Sequence, residues 1–226
     1  MNLPKLLVYS YSIQDLNDDF SLAYPRSTKE LRSKVETLII DDEDLILEDY
    51  LRKNGFNISH KKDIESIKDV AEYAIILCDI RDVGKALGAT MEGAFLVREI
   101  KNNYPNKQVV AYTGSAYDAS FNNYMSYADD VISKGLPVDD WVSLLDRQIE
   151  LSVNPIHQWE ILRKYLLEKN MSTAFIAKLE DKYVRCIKKK DFKELAQLSQ
   201  SNGEAHEIIS EFISSVCAKL ILGVFG

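Results

Sequence analysis

The chain has 226 residues, a formal net charge of −7 and an apolar fraction of 46%, enough to build a sizeable core in one domain with an appendage or in two small domains. The charge is uneven: residues 35–150 carry 12 basic and 22 acidic side chains, whereas residues 151–226 carry 11 basic and 9 acidic, so the middle segment offers no nucleic-acid surface. Three cysteines (Cys78, Cys186, Cys217) without CxxC spacing and three scattered histidines (His60, His157, His206) exclude a disulfide scaffold or a zinc site and point to a reducing cytoplasm.

The first 34 residues form an N-terminal extension. Leu6-Leu7-Val8 is broken by Tyr9, Ser10 and Tyr11, too short and polar for a secretory or membrane-spanning run. A strand over residues 5–13 is expected, and it either adds an edge to a sheet or packs against the C-terminal helices.

From Val35 onward, strand and helix alternate five times. The apolar run 36–40 (ETLII) predicts a strand, followed by a helix over 44–54 with Gly55 as its stop. Residues 56–61 suit an edge strand, and 64–71 a second helix. AIILC before Asp79 reads as a strand buried on both faces. A long loop with Gly84 and Gly88 leads to a helix over 93–103, followed by Pro105. A strand over 108–112, a helix over 118–125, a strand over 130–133 and a helix over 139–151 complete the unit. The fold class is therefore α/β, a parallel doubly wound sheet over residues 35–152.

Asn154-Pro155 marks a boundary. Residues 153–226 show amphipathic helices over 156–168, 172–188 and 191–198, and then a last helix with apolar pairs four residues apart, from Ile208-Ile209 to Val224-Phe225. A four-residue step gains about 40° per repeat, so this stripe winds around the helix and must be buried against something. Output, docking or dimerisation through these helices follows from that face.

Four strands end on polar residues: Asp41-Asp42, Asp79, Thr113-Gly114 and Lys134-Gly135. In an open α/β sheet ligands bind outside the carboxyl ends of the strands, where strand order reverses, so these groups converge on one crevice. Asp79 is read there as the reactive group. Each residue also has a plainer use: Asp41-Asp42 or Asp44 capping the helix that follows, Thr113 in a turn, Lys134 as a solvated cation. Cys78, beside Asp79 but on the opposite face, belongs to the core.

This order of acidic pair, acceptor-type Asp, Thr and Lys on successive strand ends resembles the receiver domain of two-component response regulators. The resemblance implies a flavodoxin-like strand order 2-1-3-4-5. It also implies phosphoryl transfer to Asp79 from a histidine kinase or histidine phosphotransfer protein, with Lys134 and Thr113 on the phosphoryl oxygens. Mg2+ would be held by the acidic pair Asp41-Asp42, by Asp79, by the carbonyl of Arg81 and by waters. The chain departs from the family pattern in its longer loop after Asp79, in Gly135 instead of proline after Lys134, and in Val131 where an aromatic residue often stands. Two other readings are an inert receiver-like scaffold for protein binding and a haloacid-dehalogenase-type Mg2+ phosphohydrolase. The second is disfavoured by Arg81, which stands where that family usually has a second Asp.

Overall fold

The structure, a computed structural model, describes residues 10–16, 28–88, 92–114, 122–189 and 206–221. Five parallel strands, β1 (Glu36–Ile40), β2 (Asn57–Lys61), β3 (Ile75–Asp79), β4 (Gln108–Thr113) and β5 (Asp130–Ser133), form one sheet in the order β2-β1-β3-β4-β5. This is the flavodoxin-like order that the receiver resemblance implies. β1, β3 and β4 are central and buried on both faces, which is why their sequences centre on the apolar runs Leu38–Ile40, Ile75–Cys78 and Val109–Ala111. β2 lies at one edge, as its polar composition predicts, and β5 at the other.

The eight helices of the described residues are α1 (Thr28–Leu31), α2 (Ile46–Lys53), α3 (Glu92–Asn103), α4 (Asn122–Met125), α5 (Val138–Val153), α6 (Pro155–Glu168), α7 (Thr173–Lys189) and α8 (His206–Ile221). On one face of the sheet Ile39, Ile75, Leu77 and Val110 meet Leu51 of α2 and Trp141, Leu145 and Ile149 of α5. On the other, Leu38, Ile76, Cys78 and Val109 meet Leu96, Val97 and Ile100 of α3. Burial pushes the Cys78 thiol pKa up, with the Asp79 charge adding to it, so Cys78 is an un-ionised core residue.

A third core holds the C-terminal helices together: Trp159, Leu162 and Leu166 of α6, Tyr183, Val184 and Ile187 of α7, and Ile209, Phe212 and Ile213 of α8. Two of the apolar pairs in the last helix thus bury against α6 and α7. The predicted helix over 191–198 lies outside the described residues.

Three local expectations are corrected. Of the strand expected over 5–13, residues 5–9 lie outside the described residues; residues 10–12 are not in a strand and Ile13 opens a 3-10 turn over 13–16, where the Asp15 carboxylate accepts the Ser12 N–H at 2.7 Å and closes the turn. That turn packs on the C-terminal helices, settling the choice left open by the sequence: Glu180 accepts the Ile13 N–H and the Trp159 indole N–H, and Asp181 accepts the Tyr11 N–H. α1 and the residue after it belong with the sheet, since Leu31 joins its core and the Arg32 guanidinium grips Asp146 of α5 through two nitrogens. None of Asp41, Asp42 or Asp44 caps α2; its N-cap is Leu45, which makes no side-chain cap bond.

The predicted helix over 64–71 is a single 3-10 turn, Ile67–Val70, closed by a Ser66–Asp69 capping box. It ends where the Lys107 amine donates to the Ala71 and Tyr73 carbonyls, each at 2.6 Å. Lys107 is 5% exposed, and burial lowers its pKa from 10.5 to about 8, with Glu211 partly opposing. Below pH 8 both folded and unfolded chains hold this proton and the desolvation cost is present in full. Between pH 8 and 10.5 the unfolded chain binds more protons, so stability rises with pH, by up to about 3 kcal/mol. The stability difference between wild type and Lys107→Met, measured by urea unfolding from pH 7 to 10.5, should therefore shift in favour of wild type as pH rises.

Candidate functional site

The carboxyl ends of β1, β3, β4 and β5 bring Asp41, Asp79, Thr113 and Lys134 to one rim of the sheet. Parallel register does this: β3 lies between β1 and β4, with Asp79 opposite Tyr112, and Thr113 stands opposite Ser133, one residue before Lys134. Lys134 N–H donates to the Thr113 carbonyl at 2.8 Å, which fixes the backbone of the last turn. Without a proline there, that turn closes through Leu136 N–H to the Ser133 carbonyl and Gly135 N–H to the Ser133 hydroxyl.

The Lys134 ammonium is the hub. Its Nζ lies 2.6 Å from Asp79 Oδ2, 3.1 Å from Asp41 Oδ2 and 3.8 Å from Glu43 Oε2. Asp79 is 3% exposed and Asp41 fully buried, whereas Asp42 is exposed. Burial raises the Asp79 pKa above the ordinary carboxylate value, although Lys134 and the Arg81 N–H, at 3.1 Å from Oδ1, pull it back. Burial also works against the Lys134 cation, but its bonds to Asp79 and Asp41 outweigh that and raise its pKa. Both partners thus move up for different reasons. Asp79 is dominated by lost solvent, while Lys134 answers to two carboxylates at once.

Asp41, Asp42 and Asp79 each offer an oxygen within 4.8 Å of the others. Carboxylate oxygens clustered on this scale, with one member exposed for entry, are a donor set that fits a hard divalent cation such as Mg2+. Arg81 follows Asp79 by two residues, with its backbone N–H on the Asp79 carboxylate.

The loop between Asp79 and α3 is held by two acids that sequence reasoning missed. Asp63 accepts Gly84 N–H at 2.7 Å and Ala86 N–H at 3.1 Å, and Glu92 Oε2 accepts Asp82 N–H at 3.2 Å. Asp82 and Glu92 both have positive φ, 61° and 49°, backbone states that non-glycine residues rarely adopt. Residues 80–88 are therefore held to a set path beside the acidic cluster. The third missed residue is Tyr112, whose hydroxyl donates to Asp41 Oδ2 at 2.7 Å. A tyrosine inside a strand buried on both faces needs a polar partner, and that signal was present in QVVAYT.

No family model matches this chain, and neither does any curated protein. Among solved structures it is similar to a response regulator receiver domain protein from Methanospirillum hungatei, at 19% identity over 52% of this chain and 95% of that one, with a TM-score of 0.45. It is similar also to a response regulator protein from Thermotoga maritima in complex with Mg2+ and BeF, at 16% identity, covering 50% and 98% of the two chains, with a TM-score of 0.41. A third, from Burkholderia pseudomallei with a phosphorylated aspartic acid, calcium ion and citrate, matches at 18% identity, 64% and 91% coverage and a TM-score of 0.41. The strand order is the flavodoxin-like one, and further helices follow the sheet in the chain. Among the described residues no helix is long and apolar enough to cross a membrane.

Proposed function

We propose that this chain is a response regulator whose receiver, over residues 35–152, accepts a phosphoryl group on Asp79 and whose helical region, over 153–226, carries the output. The observation that supports this most is one ammonium, Lys134, standing between a nearly buried acceptor carboxylate and a fully buried second one, beside an exposed third acid.

A carboxylate oxygen of Asp79 attacks the phosphorus of a phosphohistidine, the P–N bond breaks, and the imidazole leaves with the bonding pair and takes up a proton. The incoming group brings negative charge beside Asp41 and Asp42, and each like-charge pair at 4 Å opposes transfer by about 4 kcal/mol at an intermediate dielectric. Asp42, Asp79 and the Arg81 carbonyl would hold Mg2+, which when bound would supply the compensating charge. Lys134 moves from the carboxylate to a phosphoryl oxygen, and Thr113, on the next strand end, donates its hydroxyl to another. The donor is a histidine kinase or histidine phosphotransfer protein in the cytoplasm, and α6 to α8 form the docking or dimerisation element.

Intact mass after incubation with Mg2+ and acetyl phosphate or phosphoramidate is the test. One added phosphoryl group, mapped by peptide mass to Asp79, is the expected result. Mg2+ binding with no adduct from either donor or from a phosphorylated histidine phosphotransfer protein would favour the scaffold reading, and steady release of phosphate from a generic phosphomonoester would favour a hydrolase.

A further inference from the structure

Asp41 is engaged by protein donors on every side. Oδ2 accepts the Tyr112 hydroxyl at 2.7 Å and Lys134 Nζ at 3.1 Å, and Oδ1 accepts the Glu43 N–H at 3.0 Å and Lys134 Nζ at 3.4 Å. Its backbone is held as well, with Asp41 N–H on the Lys61 carbonyl and its own carbonyl 2.8 Å from His60 Nε2. A carboxylate offers about four lone-pair directions, and with three protein donors on its two oxygens Asp41 has less capacity left for a cation than exposed Asp42. Asp42 is exposed and Asp79 carries its second oxygen on the Arg81 N–H, so the cation's place lies on their side of the cluster.

Among these contacts Tyr112 is the uncharged side-chain donor, beside the Glu43 backbone N–H and the Lys134 ammonium. Its ring stands edge-on to Trp141 of α5 with centroids 5.6 Å apart at 82°, has Lys134 Nζ over it at 5.7 Å from the centroid, and is 1% exposed. The hydroxyl is thus delivered to Asp41 by packing between β4 and α5. With that donor in place Lys134 is shared between Asp41 and Asp79; without it, Asp41 would draw Lys134 toward itself and offer a free oxygen to the cation.

We propose that Tyr112 is a positioning residue that occupies an oxygen of Asp41, so that Asp41 neither draws Lys134 wholly to itself nor competes for the divalent cation, leaving the ammonium available to Asp79. This rests on the response-regulator reading only for its effect on phosphoryl transfer. Its effect on cation binding stands separately.

The experiment compares the full chain with Tyr112→Phe, which keeps the ring, and with Trp141→Phe, which disturbs the same ring contact but leaves the hydroxyl. Mg2+ affinity is measured by calorimetry, and phosphoryl uptake at saturating Mg2+ by intact mass. Tyr112→Phe should bind Mg2+ several-fold more tightly and take up phosphoryl about tenfold more slowly, the scale set by a hydrogen bond to a charged group. Trp141→Phe should leave both within about twofold while lowering the melting temperature. Opposite movement of affinity and rate is what mere loosening of the core would not produce. Unchanged or weaker Mg2+ binding in Tyr112→Phe, or the same change in both variants, overturns the proposal. A wild type that binds Mg2+ but takes up no phosphoryl group overturns the response-regulator reading alone, and the affinity comparison still decides for or against Tyr112.

Discussion

Asp79→Asn is expected to abolish phosphoryl uptake and, without Mg2+, to raise the melting temperature at pH 7. The first effect is chemical, since an amide oxygen is a poor nucleophile toward phosphorus and the acyl-phosphate bond does not form. The second follows from the balance of charge. Two nearly inaccessible carboxylates share one ammonium, so removing Asp79 leaves Lys134 paired with Asp41 instead of orphaned. Losing one buried charge whose partner keeps a second carboxylate stabilises by on the order of 1 kcal/mol, or roughly 2–4 °C for a chain of this size.

The pH dependence carries its own sign. The folded-state pKa of Asp79 lies above its ordinary value of 3.8 because of burial. Below that ordinary value both folded and unfolded chains hold the proton, and the group contributes nothing. As pH rises from there through the raised folded pKa, the folded chain binds more protons than the unfolded one and wild-type stability falls. The advantage of Asp79→Asn should therefore be larger at neutral pH than in acid and shrink on acidification. Added Mg2+ should reverse the order by stabilising wild type alone, since a ligand that binds only the folded state stabilises it. Melting curves at pH 4 and 7, with and without Mg2+, check all of this. A lower melting temperature for Asp79→Asn at pH 7 in chelator would mean that the Lys134 pair contributes more than burial costs.

Gly93→Ala should cost about 3 kcal/mol or more and drop the melting temperature by roughly 10 °C. A β-carbon at Gly93 would stand 1.8 Å from the Asp79 carbonyl oxygen, 2.8 Å from Val83 Cγ2 and 2.9 Å from the Asp79 carbonyl carbon. Two of those three neighbours are backbone, and the third belongs to a fully buried valine, so nothing nearby can swing aside. Relief requires α3 to lift from the end of β3, which moves the acceptor's own peptide. Mg2+ affinity should fall together with stability. Gly135→Ala is the control, because its β-carbon meets only the Ser133 hydroxyl oxygen at 3.5 Å; it should change stability by less than about 0.5 kcal/mol. Equal melting temperatures for the two variants would show that α3 does not approach β3 this closely.

The sequence by itself determined the sheet and the position of the acidic crevice. Central strands of a parallel sheet are covered on both faces, so 36–40, 75–79 and 108–113 had to centre on apolar runs, and the polar residue that follows each run is carried to the same rim by parallel register. Asp41, Asp79, Thr113 and Lys134 were legible for that reason. Tertiary structure decided what those residues touch. Tyr112 reaches Asp41 across 71 positions of sequence, Asp63 takes hold of Gly84 and Ala86 from the loop after β2, and Glu180 gathers both the N-terminal turn and Trp159. It also cut the helix expected over 64–71 to one turn, because a capping box and the Lys107 amine satisfied its backbone groups early. Periodicity reports which face of an element is buried; which distant donor arrives at a given carboxylate depends on how the buried faces stack, and that is set only when the whole chain has packed.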